Sequence, residues 1–228
     1  MYLLEFHIRQ FHDQFVNLGW SYWWMAWNTA LALIPVVLSI LFFKREEQPR
    51  PLIRDITFLF EMALVLLILP NAPYVATDLV HFLETVRTGD TSLWKLLGTE
   101  LPVYALYVLI GLVCYSFTVD RLLHALRMRL GRSWAWVGLF GIPLLSSIGI
   151  YLGRVARYNS WDVLTDPQGI INSSRTGIDQ MKIGKVLVGM WVGLIFIHQV
   201  YRTFHDGIRY RFAEMSRKPS PKRFTRGD

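Results

Sequence analysis

Five apolar runs, near residues 22–43, 52–70, 101–119, 134–152 and 184–203, leave this chain few ways to fold. A hydrocarbon layer is about 30 Å thick and takes roughly 20 helical residues to cross. Each run has that length, give or take a turn. Backbone groups in lipid must be paired within their own segment or in a closed barrel, so helices are the expected form. The bulk composition agrees: 53% of the 228 residues are hydrophobic and only 18% are charged, outside the usual mix of a soluble domain. The reading is an all-α polytopic membrane protein with about five transmembrane helices and a short interfacial helix on the outer side. Residues 1–208 would form one membrane domain with an interfacial segment at 1–21, and residues 209–228 a basic, disordered cytoplasmic tail held near anionic lipid.

The chain carries 24 Lys and Arg residues against 17 Asp and Glu, a net charge of +7. The basic residues sit between the apolar runs and after the last one. Assigning alternate loops to opposite sides gives sixteen cations on the side of Lys44, Arg127, Arg132 and Arg209, and eight on the side of Arg87 and Arg175. The positive-inside rule then places the C-terminus in the cytoplasm and the N-terminus outside, in a multi-pass cell-membrane protein. So placed, the charge calls for lipid as partner and not for nucleic acid. Trp20, Tyr22, Trp23, Trp24 and Trp27 read as an aromatic belt at the outer interface. Met1 to Gln10 has no basic start followed by an apolar core and cleavage site, so no removable targeting segment is expected. The single cysteine, Cys114, falls inside the third run and excludes an internal disulfide.

Most of the polar chemistry lies in two strings. The first is Leu69-Pro70-Asn71-Ala72-Pro73-Tyr74-Val75-Ala76-Thr77-Asp78-Leu79-Val80-His81. Pro70 and Pro73 lack amide hydrogens and end the second run, and Pro73 suits the start of a new helix capped by Asn71 or Ala72. Tyr74, Thr77, Asp78, His81, Glu84 and Thr85 then recur at helical spacing along one stripe, opposite Val75, Leu79, Phe82 and Val86. Asp78 and His81, three apart, project from neighbouring turns. The carboxylate could orient the imidazole as a general base, both could ligate a divalent metal with help from Glu84 or Asp162, or they could pair structurally.

The second string is Gly149-Ile150-Tyr151-Leu152-Gly153-Arg154-Val155-Ala156-Arg157-Tyr158-Asn159-Ser160-Trp161-Asp162. Two arginines at the outer end run against the positive-inside bias. They either pair with Asp162 or Asp78, or present a guanidinium fork to a phosphate or carboxylate. Trp161 or Tyr158 could pack against a lipid or sugar.

These strings resemble the signatures of a bacterial family of integral membrane proteins, domain-of-unknown-function family 1361, and Trp27-Asn28-Thr29-Ala30-Leu31-Ala32-Leu33-Ile34-Pro35 is similar to its first membrane helix. The resemblance spans about residues 20–205. It implies a multi-helix membrane protein and supplies no biochemical role.

Within the runs, Glu61 and His198 are the costly groups. They could bridge to each other structurally or form part of a proton path. Asn28, Ser39, Ser146 and Ser147 read as ordinary interhelical contacts. Three functions are compatible with this equipment. The first is an enzyme on a lipid or lipid-linked substrate at the outer leaflet, by acyl or phosphoryl transfer or hydrolysis. Asp78, His81 and Asp162 would be its catalytic groups, and Asn71, Tyr74, Arg154, Arg157, Tyr158, Asn159 and Trp161 would bind substrate. No Ser or Cys sits in a nucleophile motif, so an activated hydroxyl or water is preferred. The second is a small transporter or flippase-like carrier coupled through Glu61 and His198, although five helices leave no room for paired repeats without an oligomer. The third is a non-catalytic subunit bound to a protein partner. No cofactor is assigned beyond the metal alternative.

Overall fold

The computed structural model describes residues 22–43, 52–89, 92–154 and 180–216. Every element among them is helical and none is a strand. Helix α1 is Trp23–Phe42, α2 is Leu52–Ile68 and α3 is the single turn Asn71–Tyr74. A 3₁₀ turn, Val75–Asp78, leads into α4, Leu79–Thr88. The short α5, Leu93–Lys95, and a π-helical turn, Leu96–Glu100, run into α6, Leu101–Leu130. Helices α7, Arg132–Arg154, and α8, Gln180–Ser216, complete the chain.

Five helical stretches are long and apolar enough to cross a membrane: Trp23–Phe42, Ile56–Thr88, Leu93–Leu130, Arg132–Arg154 and Gly184–Ser216. Between 11% and 39% of the apolar window in each is buried. The rest, including Leu33, Leu59, Leu106, Val137 and Phe196, faces outward. An apolar exterior of this extent fits a multi-pass membrane protein. The apolar runs expected at 101–119 and 184–203 continue as helix well past their polar ends. Helix α8 runs to Ser216. The segments 1–21 and 217–228 lie outside the described residues.

Helix α6 is central and touches α1, α3, α7 and α8. In lipid, helix association gains nothing from moving apolar surface out of water; close packing and polar contacts hold it instead. The interfaces show both. Gly138 sits where a Cβ would meet Leu126 of α6 at 2.6 Å, so α6 and α7 approach closely there. Trp191 of α8 donates its indole N–H to the Phe140 carbonyl at 2.9 Å. Arg121 of α6 donates to the Ser39 carbonyl of α1 at 3.1 Å. That carbonyl also receives the Phe43 amide that closes α1. At the same end Phe43 packs edge-on against Phe58 of α2, and the Arg129 guanidinium lies 4.5 Å over the Phe58 ring.

At the opposite end, Pro70 and Pro73 do not stop the helical path. The chain resumes at Asn71 after a two-residue turn, with Pro70 in the cap position and no side-chain cap. The expected Asn71 cap is therefore absent. Pro73 falls within the first turn, where a missing amide hydrogen costs no hydrogen bond. Gly149 of α7 receives this turn: a Cβ there would lie 2.5 Å from Pro70 Cγ. The end of α2 and the end of α7 are thus side by side, and the two polar strings meet.

Candidate functional site

Asp78 closes the 3₁₀ turn and is 2% exposed. One carboxylate oxygen, Oδ1, accepts a hydrogen bond from Arg154 Nη2 at 2.5 Å. The other, Oδ2, accepts from the Tyr107 hydroxyl at 2.7 Å and from Asn28 Nδ2 at 3.2 Å. A buried carboxylate is stable only with such partners, and here they come from α1, α6 and α7 together. Arg154 is anchored twice more by Tyr74: Nη1 donates to the hydroxyl at 3.2 Å, and the guanidinium lies 4.9 Å from the ring centroid. The Arg154 side chain keeps 30% of its surface exposed. Of the five N–H groups a guanidinium carries, two are bonded among the described residues.

A wall of aromatic rings supports the cluster. Trp24 of α1 packs edge-on against Tyr107 at 5.8 Å and against His81 at 5.5 Å, and Tyr104 packs against Phe82. Tyr22 donates to Glu100 at 2.6 Å, tying the start of α1 to the start of α6. Burial and the Glu100 carboxylate both raise the Tyr22 hydroxyl pKa, so Tyr22 remains a donor. The aromatic belt thus divides: Trp23 and Trp27 are exposed, whereas Tyr22 and Trp24 build the site.

The structure brings Tyr74, Asp78 and Arg154 together and separates other expected pairs. Asp78 does not pair with His81. Its oxygens are taken by Arg154, Tyr107 and Asn28, and His81 is exposed on α4 with its ring against Trp24. Of the apolar face expected opposite, Val75 is buried but Leu79 and Val86 are exposed. Asn71 is half-buried and, among the described residues, its side chain makes no hydrogen bond to the cluster; it forms part of the turn packed against α6. Arg157, Tyr158, Asn159, Trp161 and Asp162 lie outside the described residues. Among the described residues no three His, Cys, Asp or Glu side chains gather to hold a metal.

Glu61 and His198 do not pair either. His198 is fully buried, and among the described residues neither ring nitrogen is hydrogen-bonded. Ser116 and Tyr115 likewise bury unbonded hydroxyls. An unsatisfied buried imidazole costs stability. His198→Leu is therefore expected to leave thermal unfolding in detergent unchanged or to raise stability by about 1–2 kcal/mol. A clear loss would show that the imidazole has partners that hold the helices together.

Tyr107 is the neighbour of Asp78 that sequence reasoning missed, whereas Asn28, expected as an interhelical contact, makes one with Asp78. Asn28 stands one turn after Trp24 on α1, and Tyr107 stands one turn after Tyr104 on α6. The available signal was a polar group recurring beside an aromatic one within an apolar run.

A family model described as protein of unknown function, DUF1361, matches residues 27–198, and the chain belongs to that family. No curated protein and no solved structure matches it.

Proposed function

We propose that this DUF1361 member binds the anionic headgroup of a lipid or lipid-linked molecule at the outer leaflet and acts on it by acyl or phosphoryl transfer or hydrolysis. The observation that carries the reading is Arg154: a guanidinium oriented by a buried carboxylate and an aromatic ring, yet 30% exposed. Fixing the fork before a ligand arrives lowers the ordering cost of binding a phosphate or carboxylate. The Lys and Arg distribution supports the outer side for this end. Asp78 is then a positioning residue, because both its oxygens are engaged. His81, exposed and with no side-chain hydrogen bond among the described residues, is the group able to take a proton from water as that water attacks the acyl carbon or phosphorus, and to return it to the leaving oxygen.

The saturation of Asp78 favours a second reading, a non-catalytic headgroup-binding subunit. One experiment separates the two. The protein is placed in nanodiscs of phosphatidylglycerol and phosphatidylcholine, and the lipids retained after extraction are identified by native mass spectrometry. Wild type is expected to retain phosphatidylglycerol preferentially. Arg154→Lys, which keeps the charge but loses the fork, should weaken that preference about tenfold, worth roughly 1.4 kcal/mol. Equal retention in both would end the headgroup reading. If phosphatidylglycerol is retained but never consumed, and His81→Ala changes nothing, the subunit reading stands instead of the enzyme.

A further inference from the structure

At the end of the molecule opposite Asp78, helices α6, α7 and α8 enclose a cleft of about 420 Å³. We propose that this cleft is a second anion site, built for a phosphate-bearing ligand with two negative charges.

Two parallel stripes form its polar wall. Asp120, His124 and Arg127 recur along α6 at helical spacing, four and then three residues apart, and Arg202, His205 and Arg209 recur along α8, three and then four apart. The third helix adds Arg132, the first residue of α7. The chain reverses there at Gly131, whose φ of 96° lies in the left-handed region that glycine adopts without strain. That reversal brings Arg127 and Arg132 to one mouth. Leu123, Leu139 and Trp136 supply an apolar wall facing the cations.

The internal charges do not balance. Four guanidiniums line the cleft against two carboxylates, Asp120 and Asp206, which leaves an excess of two positive charges before any histidine is protonated. Arg202 reaches Asp120 only at 3.9 Å, and both side chains are more than 40% exposed. Asp206 turns to His205 at 3.6 Å. Among the described residues, Arg127, Arg132 and Arg209 have no carboxylate partner. The positive-inside tendency explains arginines in helix flanks, but it does not require three helices to aim them into one cavity. Convergent, unpaired guanidiniums are the chemistry that recognises phosphate. An apolar wall beside them is compatible with a phosphate carried on a lipid as well as with a free one.

The test uses the full chain in detergent and in nanodiscs, with two probes, inorganic pyrophosphate and cardiolipin. Pyrophosphate should raise the thermal unfolding temperature if the source is soluble, and nanodisc protein should retain cardiolipin over phosphatidylcholine if the source is lipid. Either result supports the site. Arg127→Gln with Arg209→Gln, both exposed and remote from Asp78, should reduce the binding observed at least tenfold. The variant lacking both charges of the other end, Asp78→Asn with Arg154→Met, should keep the part of the response that Arg127 and Arg209 carry, so the two sites fail or survive independently. Absence of both responses in wild type overturns the proposal. So does a response that survives the loss of Arg127 and Arg209.

Discussion

Arg154→Met is expected to be among the most damaging single substitutions in the protein, costing about 3 kcal/mol, and to harm it more than Asp78→Asn does. The asymmetry follows from burial. Removing the guanidinium leaves an ionised carboxylate that is 2% exposed, with only Tyr107 and Asn28 to hold it. Stranding one member of a buried pair costs about 3–5 kcal/mol, and the two remaining donors place this case at the low end. Asp78→Asn removes the charge instead. Its carbonyl still accepts from Tyr107, and Arg154, being 30% exposed, can turn toward solvent. That loss is about 1–2 kcal/mol. The double variant should then be more stable than Arg154→Met alone, because the stranded charge is gone. Thermal unfolding in detergent, run as a double-mutant cycle, measures all three. Additive losses, or an Arg154→Met no worse than Asp78→Asn, would mean that the pair does not hold this end together.

How far these features were legible in the sequence depends on the distance over which each is decided. The five spans were legible because hydrophobic length is local, and the structure has five helices of that kind in those places. That Arg154 would meet Asp78 was among the open alternatives, since two polar strings at one end of parallel spans must neutralise their charges nearby. The partners Asn28 and Tyr107 were not legible as such, because each is a lone polar group in an apolar run whose contact lies 50 or 29 residues away. The stripe from Tyr74 to Thr85 was drawn with a uniform α-helical period. The 3₁₀ turn at Val75–Asp78 breaks that period. At 3.0 residues per turn against 3.6, four residues accumulate about 80° of extra rotation. Asp78 therefore faces inward while His81 and Glu84 face outward, although the three share a stripe on paper. The arginine cleft was hidden for another reason. Its residues were counted as charges flanking spans, and only the long continuation of α6 and α8 as helix puts their stripes face to face.

Gly111→Ala is expected to cost about 3 kcal/mol, the upper end for forcing extra volume into a packed interface, although it adds one methyl group. A Cβ at Gly111 would collide with Val75 Cγ2 and lie 2.5 Å from the Ala72 carbonyl oxygen. The valine methyl can be removed, but the carbonyl is part of the α3 backbone and cannot rotate aside. The turn Asn71–Tyr74 would have to move off α6. Tyr107 lies one turn before Gly111 on that helix, and it reaches Asp78 because the glycine admits the turn so closely. Adding Val75→Ala to Gly111→Ala should recover only part of the loss, since it clears one of the two collisions. Gly193→Ala provides the contrast: nothing lies within 4 Å of its Cβ position in α8, so the helix should gain about 0.5–1 kcal/mol. Unfolding temperatures of the three variants, with phosphatidylglycerol retention as a second reading, check the order. A Gly111→Ala protein as stable as Gly193→Ala would mean that the polar turn does not depend on close approach to α6, and Asp78 would lose the packing that holds it under Arg154.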